Sequence, residues 1–367
     1  MKQGWKKISF EDSIVKVKYT TKIPSNDYLK QGLYPIVSQE EGLISGYWDN
    51  ANDVFKVSTP VVIFGDHTRI LKYVDFDFVL GADGVKILQP IKSIDAKFFK
   101  LYLESCKIPS LGYSRHYKLL KELQVPIPPR EEQERIVAEL DCMSGVIEKK
   151  REQLKQLDAL AQSIFFQMFG DPITNEKGWE VKCLRDISTI GTGATPSREK
   201  EELYYGGEIH WVKTTEVQNC DIHSTEETIT QLAVEQTNCK VYPQNTLLMA
   251  MYGQGKTRGQ IARLKISAAT NQACAAIMLD EARCILDFIY ELLLIKYESI
   301  RAMAKGGNQA NLNLKIVGSI PIILPPLALQ QEFADKIEAI EKQKELIKKS
   351  MSETETLFNA RMDYYFN

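Results

Sequence analysis

The sequence lacks the long apolar segments by which proteins cross membranes. In its 367 residues, no apolar run reaches the roughly 20 residues that a membrane-spanning helix needs. Residues 1–7 contain three lysines and no apolar core of the kind found in signal peptides. The seven cysteines are odd in number and scattered, which is typical of reduced thiols rather than of a disulfide framework. We therefore expect a cytoplasmic protein with no membrane partner.

Signatures of catalysis and of metal or cofactor binding are equally scarce. His67, His116 and His210 have no evident partner carboxylate or nucleophile in the sequence, so no catalytic triad is predicted. Cys220 and His223 form a close pair of metal-ligand type, but nothing nearby completes a set of four ligands. No Gly-x-Gly-x-x-Gly loop follows a strand-like segment. We therefore expect no catalytic residue, no metal site and no cofactor bound by this chain.

One glycine-rich string comes close to a phosphate-binding loop. Residues 250–257 are Ala-Met-Tyr-Gly-Gln-Gly-Lys-Thr, and a lysine and a hydroxyl hold phosphate and magnesium in such loops. A phosphate-binding loop opens a helix, however, because the helix amino terminus binds the phosphate, whereas residues 258–264 alternate like a strand. A nucleotide-binding enzyme stays open as one alternative. The pattern favours a basic hairpin turn that contacts a DNA groove or a backbone phosphate.

Charge is nearly balanced overall but unevenly distributed along the chain. The formal net charge of −2 is not typical of a protein that binds nucleic acid. Three stretches, at 13–26, 105–121 and 236–279, nevertheless contain basic residues and no acidic residue. Such local stripes allow a chain of near-zero net charge to bind a polyanion. The DNA-contacting residues predicted in these stretches are Lys16, Lys18, Lys22, Arg115, His116, Lys118, Lys256 and Arg258.

Two long helical segments dominate the hydrophobic pattern. After Pro129, apolar residues recur at steps of four and three as far as Met168, which predicts a helix whose apolar seam packs against another helix. A second segment follows Pro326 and repeats the first at an offset of 197 residues. Each seam contains one lysine, Lys150 or Lys344, which we interpret as fixing the register. The predicted seam residues are Ile136, Leu140, Met143, Ile147, Leu154, Leu157, Phe333, Ile337, Ile340 and Ile347.

The repeat extends to the segments that precede the helices, since Gly4-Trp5 is echoed by Gly178-Trp179. We predict a first globule over 1–129, a first long helix over 130–170, a second globule over 171–325 and a second long helix over 326–367. Strand-like runs lie at 60–64, 70–74, 246–251 and 260–264, and short helical patterns lie at 96–105 and 286–297. The predicted fold class is α+β, with two globular domains in tandem repeat, separated by two long helices that pack as an antiparallel coiled coil.

The loops of both globules contain hydroxyl, amide and basic groups. Amide side chains pair with adenine edges, whereas basic side chains contact phosphates more often than bases. The further DNA-contacting residues predicted in these loops are His67, Arg69, Thr195, Arg198, Lys213, Thr214, Asn271, Gln272, Asn308 and Gln309. Each cluster could equally be a turn or a cap. A coiled-coil scaffold whose globules bind proteins therefore remains the alternative from another functional class.

The duplicated plan and an ordered series of short strings resemble the DNA-specificity subunits of type I restriction–modification systems. The resemblance covers nearly the whole chain. It rests on Ile127-Pro128-Pro129-x-x-Glu132-Gln133, Gly178-Trp179, Gly193-x-Thr195-Pro196, Trp211-Val212-Lys213-Thr214, Gly255-x-x-x-Gly259, Asn271-Gln272 and Gly307-x-Gln309-x-Asn311. The first globule matches less well, and the second helix lacks an acidic residue before Gln330.

This resemblance implies a non-catalytic protein whose globules are target-recognition domains, each for one half of a bipartite site in double-stranded DNA. It also implies that the two helices pack antiparallel, that their length sets the spacer between the half-sites, and that they dock two methylation subunits. By the same resemblance, S-adenosylmethionine is bound by the methylation subunits, which methylate adenine. ATP and magnesium are likewise expected on partner subunits, and separate motor–nuclease subunits join for restriction.

Overall fold

Two helices of 40 residues each, Arg130–Phe169 and Leu327–Phe366, are the longest elements of the computed structural model. We call them the first and second long helix. The structure describes residues 4–82, 84–112, 114–253, 255–304 and 311–367. The chain divides into two compact units: residues up to 151 together with 348–367, and residues 152–347. Each unit therefore contains one globule, the beginning of one long helix and the end of the other.

Both ends of the first long helix have a local explanation in the sequence. It starts directly after Pro129, and Glu131 and Glu132 lie in its first turn, where the positive end of the helix dipole favours carboxylates. It ends at Phe169, and Gly170 follows with a φ of 75°. Only glycine adopts this left-handed conformation without steric cost, so Gly170 terminates the helix.

The first globule contains three sheets and two α-helices among its described residues. The helices are Ala96–Ser105 and Tyr117–Leu120. In one sheet, Lys6–Ser9 pairs with Gln124–Ile127. A second sheet has the order Ile14–Val15, Val85–Pro90, Val61–Gly65 and Leu71–Val74. The third has the order Lys22–Ile23, Phe78–Gly81, Tyr34–Val37 and Gly46–Trp48, and Val54–Phe55 also pairs with Phe78–Gly81.

The second globule repeats this arrangement. Its helices are Glu201–Tyr204, Gln231–Gln236, Leu286–Ile295, Tyr297–Met303 and Leu314–Gly318. The two-stranded sheet pairs Glu180–Cys183 with Pro321–Leu324. The second sheet has the order Ser188–Thr192, Cys274–Leu279, Leu247–Ala250, Ile261–Leu264 and Cys220–Ile222. The third has the order Glu227–Ile229, Tyr205–Val212, Ala268–Thr270 and Val241–Tyr242.

The strand topology of the two globules is the same apart from one additional strand in each. In the third sheets, Tyr34–Val37 of the first globule and Tyr205–Val212 of the second are equivalent, because each has an antiparallel neighbour that follows it in the chain on one side and a parallel neighbour on the other. The additional strands are Lys22–Ile23 and Cys220–Ile222, and each pairs in parallel with its neighbour. The sequence repeat is therefore a repeat of the fold.

A short antiparallel ladder closes each globule next to a long helix. In the first globule Lys6 pairs with Ile127, and in the second Glu180 pairs with Leu324. These pairs are related by the sequence offsets of 174 and 197 residues, so the two ladders have the same register. In both globules, the strand that enters the globule thus lies beside the strand that leaves it for the helix.

A buried glutamine attaches each globule to the start of its long helix. Gln133 and Gln330, which lie 197 residues apart, are both 0% exposed. The Gln133 amide oxygen accepts from Asp95 N at 2.7 Å, and its nitrogen donates to the carbonyl oxygens of Ser93 and Pro128 at 2.8 and 2.9 Å. The Gln330 amide makes the equivalent bonds. It accepts from Ile285 N at 2.9 Å and donates to the carbonyl oxygens of Pro325 and Arg283 at 2.8 and 3.5 Å.

The seams of the long helices are part of the hydrophobic cores. In the first unit, Ile136 and Leu140 pack with Phe98 and Phe366. In the second unit, the rings of Phe165, Phe169, Phe288 and Phe333 pack together, with centroids 4.8–6.3 Å apart. Of the ten predicted seam residues, Met143, Leu154 and Ile347 are half-buried and the others are buried.

Both seam lysines make polar contacts that depend on register. Within the first unit, Lys150 Nζ donates to Ser350 O and Ser350 Oγ at 2.8 Å and to Thr354 Oγ1 at 2.9 Å. Within the second unit, Lys344 Nζ lies 2.7 Å from an Asp158 carboxylate oxygen. In each unit the helices run antiparallel. A shift of the helices by one turn would separate these groups, so the contacts favour one register.

Candidate nucleic-acid interface

In the second globule, several predicted residues meet where strands of both larger sheets end. Thr195 Oγ1 donates to Gln272 Oε1 at 2.6 Å, and Thr214 Oγ1 donates to Asn271 Oδ1 at 2.9 Å. The loop that contains Thr195 passes close to the third sheet, because a Cβ atom at Gly193 would lie 1.6 Å from the carbonyl oxygen of Thr270. Only glycine fits there, and the structure brings these four predicted residues together.

Two predicted cations of this globule are held by carboxylates. Arg198 Nη2 lies 2.6 Å from Glu227, and Lys213 Nζ lies 2.5 Å from Glu226 and 3.2 Å from Glu227. The Arg198 guanidinium also lies 4.0 Å from the centroid of the Tyr205 ring. Burial raises the pKa of Glu227, but the hydrogen bonds from Arg198 and Lys213 outweigh it and lower the pKa. A DNA phosphate would have to compete with these carboxylates for both cations.

The glycine-rich string of the second globule forms a hairpin turn. It joins the antiparallel strands Leu247–Ala250 and Ile261–Leu264, so a strand follows it and not a helix. Lys256 is exposed, and its carbonyl oxygen accepts a hydrogen bond from the Tyr297 hydroxyl. The Arg258 carbonyl oxygen accepts from Arg301 Nη1 at 3.2 Å. The turn therefore lacks the helix that a phosphate-binding loop requires, and it presents a basic side chain to solvent.

The equivalent turn of the first globule follows Val61–Gly65. Its Arg69 is exposed, has a φ of 63° and donates from Nη1 to Ile108 O at 2.9 Å. Its His67 is half-buried, and the His67 backbone N donates to Gln39 Oε1 at 3.3 Å. Gln39 was not among the predicted residues. It precedes Glu40 and Glu41, and an amide beside two acids gives no basic signal in the sequence.

The prediction that His116 contacts DNA does not fit the structure. His116 is 0% exposed, its Nδ1 lies 2.8 Å from Asp66 O, and its Nε2 accepts from Leu111 N at 2.8 Å. The ring therefore connects two loops. Its neighbours Arg115 and Lys118 are exposed.

The remaining predicted residues stay predictions. Lys16, Lys18 and Lys22 are exposed, and Lys22 Nζ lies 5.5 Å from the centroid of the Tyr19 ring. Asn308 and Gln309 lie outside the described residues. Within the described ranges, no group of three or more His, Cys, Asp or Glu residues could hold a metal ion. No helix formed by these residues is long and apolar enough to span a bilayer.

The sequence matches the type I restriction modification DNA specificity domain over residues 2–158 and 176–356. It is 23% identical to the specificity subunit of the Escherichia coli type I restriction enzyme EcoR124I/EcoR124II, with 96% of this chain and 91% of the relative covered. It is 27% identical to the MjaIX specificity subunit of Methanocaldococcus jannaschii over 239 residues, which cover 60% of this chain and 54% of the relative.

Solved structures share the fold. The type I restriction–modification S subunit from M. genitalium superposes with a TM-score of 0.62 at 16% identity, covering 98% of this chain and 95% of that chain. A structure from work on complex assembly and conformational transition of the type I system gives a TM-score of 0.54 at 14% identity, covering 100% and 98%. The predicted fold class is thereby confirmed. Since the family match includes both repeats, the chain belongs to the type I restriction–modification DNA specificity family, as a sequence-specificity subunit.

Proposed function

We propose that this chain is the non-catalytic DNA-recognition subunit of a multi-subunit adenine methyltransferase and endonuclease in the cytoplasm. Each globule recognises one half of a bipartite site in double-stranded DNA. The observation that carries the proposal is the repeated topology of the two globules. In both globules, polar loops follow the equivalent strands. Two similar recognition surfaces on one chain suit a DNA site made of two separated halves.

The long helices support the second part of the proposal, the docking of two methylation subunits. Their seams are occupied within each unit, whereas apolar side chains on other faces are exposed, namely Leu160, Phe166, Leu346 and Leu357 at 43–69%. Singly exposed apolar side chains are common on protein surfaces, so these four residues are compatible with partner binding, and the family resemblance carries this part of the proposal. S-adenosylmethionine is then bound by the methylation subunits. ATP and magnesium are bound by restriction subunits, which join for cleavage.

The test uses the full chain reconstituted with its methylation subunits. The complex is incubated with a library of duplexes randomised at every position, and the methylated molecules are sequenced. We expect one motif with two specified halves and an unspecified spacer of fixed length. Methylation without preference for a split motif would contradict the proposal. A mobility-shift assay on target and non-target duplexes separates DNA recognition from a scaffold whose globules bind only proteins.

The role of the helices as a spacer has its own test. Removing one heptad from both long helices together, 144–150 and 344–350, keeps the apolar seams in phase and the helices equal in length. The deletion also removes the contacts of Lys150 and Lys344, so the apolar seams alone hold the shortened register. We expect the preferred spacer to change while the two half-site sequences stay the same. Loss of sequence preference at both half-sites in a folded complex would show that the helices stabilise the hydrophobic cores and do not set the spacer length.

A further inference from the structure

Gln39 occupies in the first globule the place that Thr214 occupies in the second. Tyr34–Val37 and Tyr205–Val212 are topologically equivalent strands, and each of these residues follows its strand by two positions. Thr214 holds the amide of Asn271, whereas in the first globule the amide belongs to Gln39 itself. Each globule therefore presents an amide side chain at the equivalent strand end.

Two glycines leave space for the Gln39 side chain. A Cβ atom at Gly65 would lie 2.9 Å from Gln39 Cβ. A Cβ atom at Gly84, whose φ is +80°, would lie 2.6 Å from Gln39 Oε1. The Gln39 side chain is half-buried between these positions, and its oxygen accepts from His67 N at 3.3 Å. The amide is thus oriented by its surroundings before any ligand binds.

A buried lysine holds the loop that carries Gln39. Lys72 is 5% exposed, and its Nζ donates to Ser38 O at 2.8 Å and to Gly42 O. Burial lowers the pKa of Lys72. Within the same loop, the Ser38 and Ser45 hydroxyls lie 2.7 Å apart, and Thr68 Oγ1 donates to Gln39 O at 2.7 Å. These bonds fix the backbone on both sides of Gln39, so a contact by its side chain loses little conformational entropy.

We propose that Gln39 is a specificity-determining residue that recognises the major-groove edge of an adenine in the half-site of the first globule. An amide pairs with adenine through two bonds, accepting from N6 and donating to N7. The oxygen that accepts from His67 has a second lone pair, and the amide nitrogen has two protons to donate. Glu40 and Glu41 follow Gln39, and carboxylates repel phosphates but accept from the amino group of cytosine, so base edges suit this loop better than the DNA backbone does.

This proposal rests on the proposed function and is tested in the same library assay with full-length variants. Gln39→Glu keeps the size and the acceptor of the side chain but loses the donor to N7, and Gln39→Ala loses both. We expect both variants to reduce discrimination at one adenine of one half-site by about 5- to 150-fold, the range for a bidentate base contact. The other half-site should be unchanged. Gln89→Ala is the matched control, because this half-buried glutamine lies roughly 17 Å along the strand from Gly84.

The outcomes separate the two proposals. If the wild-type complex selects a split motif and both Gln39 variants select the same motif equally well, the assignment of Gln39 is overturned and the proposed function stands. Equal loss at both half-sites would also overturn it, because that result indicates a structural role. A wild-type complex that selects no split motif overturns the proposed function together with this assignment. Urea unfolding of Gln39→Glu, expected at the wild-type midpoint, shows that the fold is intact.

Discussion

The two globules are alike where they join the long helices. They differ in the loops at the ends of their strands. Gln133 and Gln330 make equivalent sets of hydrogen bonds, and the closing ladders share one register. In the first globule, Gln39 lies on a loop that Lys72 holds through hydrogen bonds. In the second globule, Asn271 accepts a hydrogen bond from Thr214, and the predicted cations Arg198 and Lys213 pair with carboxylates. The residues that attach each globule to a long helix make the same contacts in both globules. The loops at the strand ends, which can recognise different DNA sequences, make different contacts.

The largest expected effect tests whether the two seams are equally important for stability. Phe333 and Ile136 lie at equivalent seam positions, and both are 0% exposed. Phe333→Ala should lower the free energy of unfolding by about 4 kcal/mol, because it opens a cluster of four phenylalanines, and Ile136→Ala by about 3 kcal/mol. Urea denaturation measures the change, and hydrogen–deuterium exchange assigns it to a unit. Leu346→Ala, at a side chain 69% exposed, is the control. A smaller loss of unfolding free energy for Phe333→Ala than for Ile136→Ala would show that the seam of the first unit contributes more to stability.

The next effect tests the likeness of the two glutamine anchors. Gln133→Ala and Gln330→Ala each leave a half-buried backbone N–H and a buried proline carbonyl, Pro128 O or Pro325 O, without their partner, which should lower the free energy of unfolding by about 2 kcal/mol. Similar losses are expected because the bonds are equivalent. Gln331→Ala removes an exposed amide from the neighbouring position and should change stability by less than about 0.5 kcal/mol. A large loss at only one of the two sites would show that the anchors are not equivalent.

A buried carboxyl group distinguishes the second unit. Glu291 is 7% exposed on the helix Leu286–Ile295, at the position where the first globule has Leu101. Burial raises its pKa to about 7, although Arg263 and Lys344 lower it, and Glu341 and Asp158 raise it further. Between pH 4.5 and 7 the folded chain keeps a proton that the unfolded chain has released. The free energy of unfolding contributed by this group therefore falls as pH rises through that window.

Glu291→Gln removes this pH-dependent cost. The variant should be more stable than the wild type at pH 8, by up to about 3 kcal/mol, and nearly equal to it at pH 4. Urea denaturation at the two pH values measures the difference. Glu298→Gln changes an exposed carboxyl group on the following helix and should have no such effect. An equal change in the free energy of unfolding at both pH values would show that folding does not raise the pKa of Glu291.

The smallest expected effects compare the basic turns. Lys256→Ala in the second globule and Arg69→Ala in the first each remove one exposed cation. If each contacts one phosphate, each variant should lower the slope of log affinity against log salt by about 0.9. Fluorescence anisotropy of the reconstituted complex on its target duplex measures the slope. Lys92→Ala, an exposed lysine beyond the far end of Val85–Pro90, is the control. An unchanged slope would remove that cation from the interface.

The helices and the core strands were predictable because their pattern is local. The steps of four and three predicted a helix after Pro129, and the structure has Arg130–Phe169. The helical pattern at 96–105 corresponds to Ala96–Ser105. The strand-like run at 60–64 corresponds to Val61–Gly65, and the run at 246–251 to Leu247–Ala250. Such periodicity reports the burial of one face, which neighbouring residues share.

The environment of individual loop residues was not predictable, because it depends on contacts distant in sequence. Arg198 is held by Glu227, which lies 29 residues away, and His116 is buried against Asp66, which lies 50 residues away. Gln39 lies in a stretch without lysine or arginine, residues 31–55, and only the folded chain places it beside His67. Composition identifies which side chains are charged, whereas tertiary contacts decide which of them face a ligand.

The closing ladders have a consequence for how such a chain can change over generations. The entering strand and the leaving strand are adjacent, about 5 Å apart. A genetic exchange with breakpoints in the codons of Lys6–Ser9 and Gln124–Ile127 would replace everything between them. It would retain the backbone pairing and the long helix, although Gln133 would need new backbone partners in place of Ser93 and Asp95. One recombination event could thus transfer a complete recognition domain between relatives, whereas point mutations would have to rebuild it loop by loop.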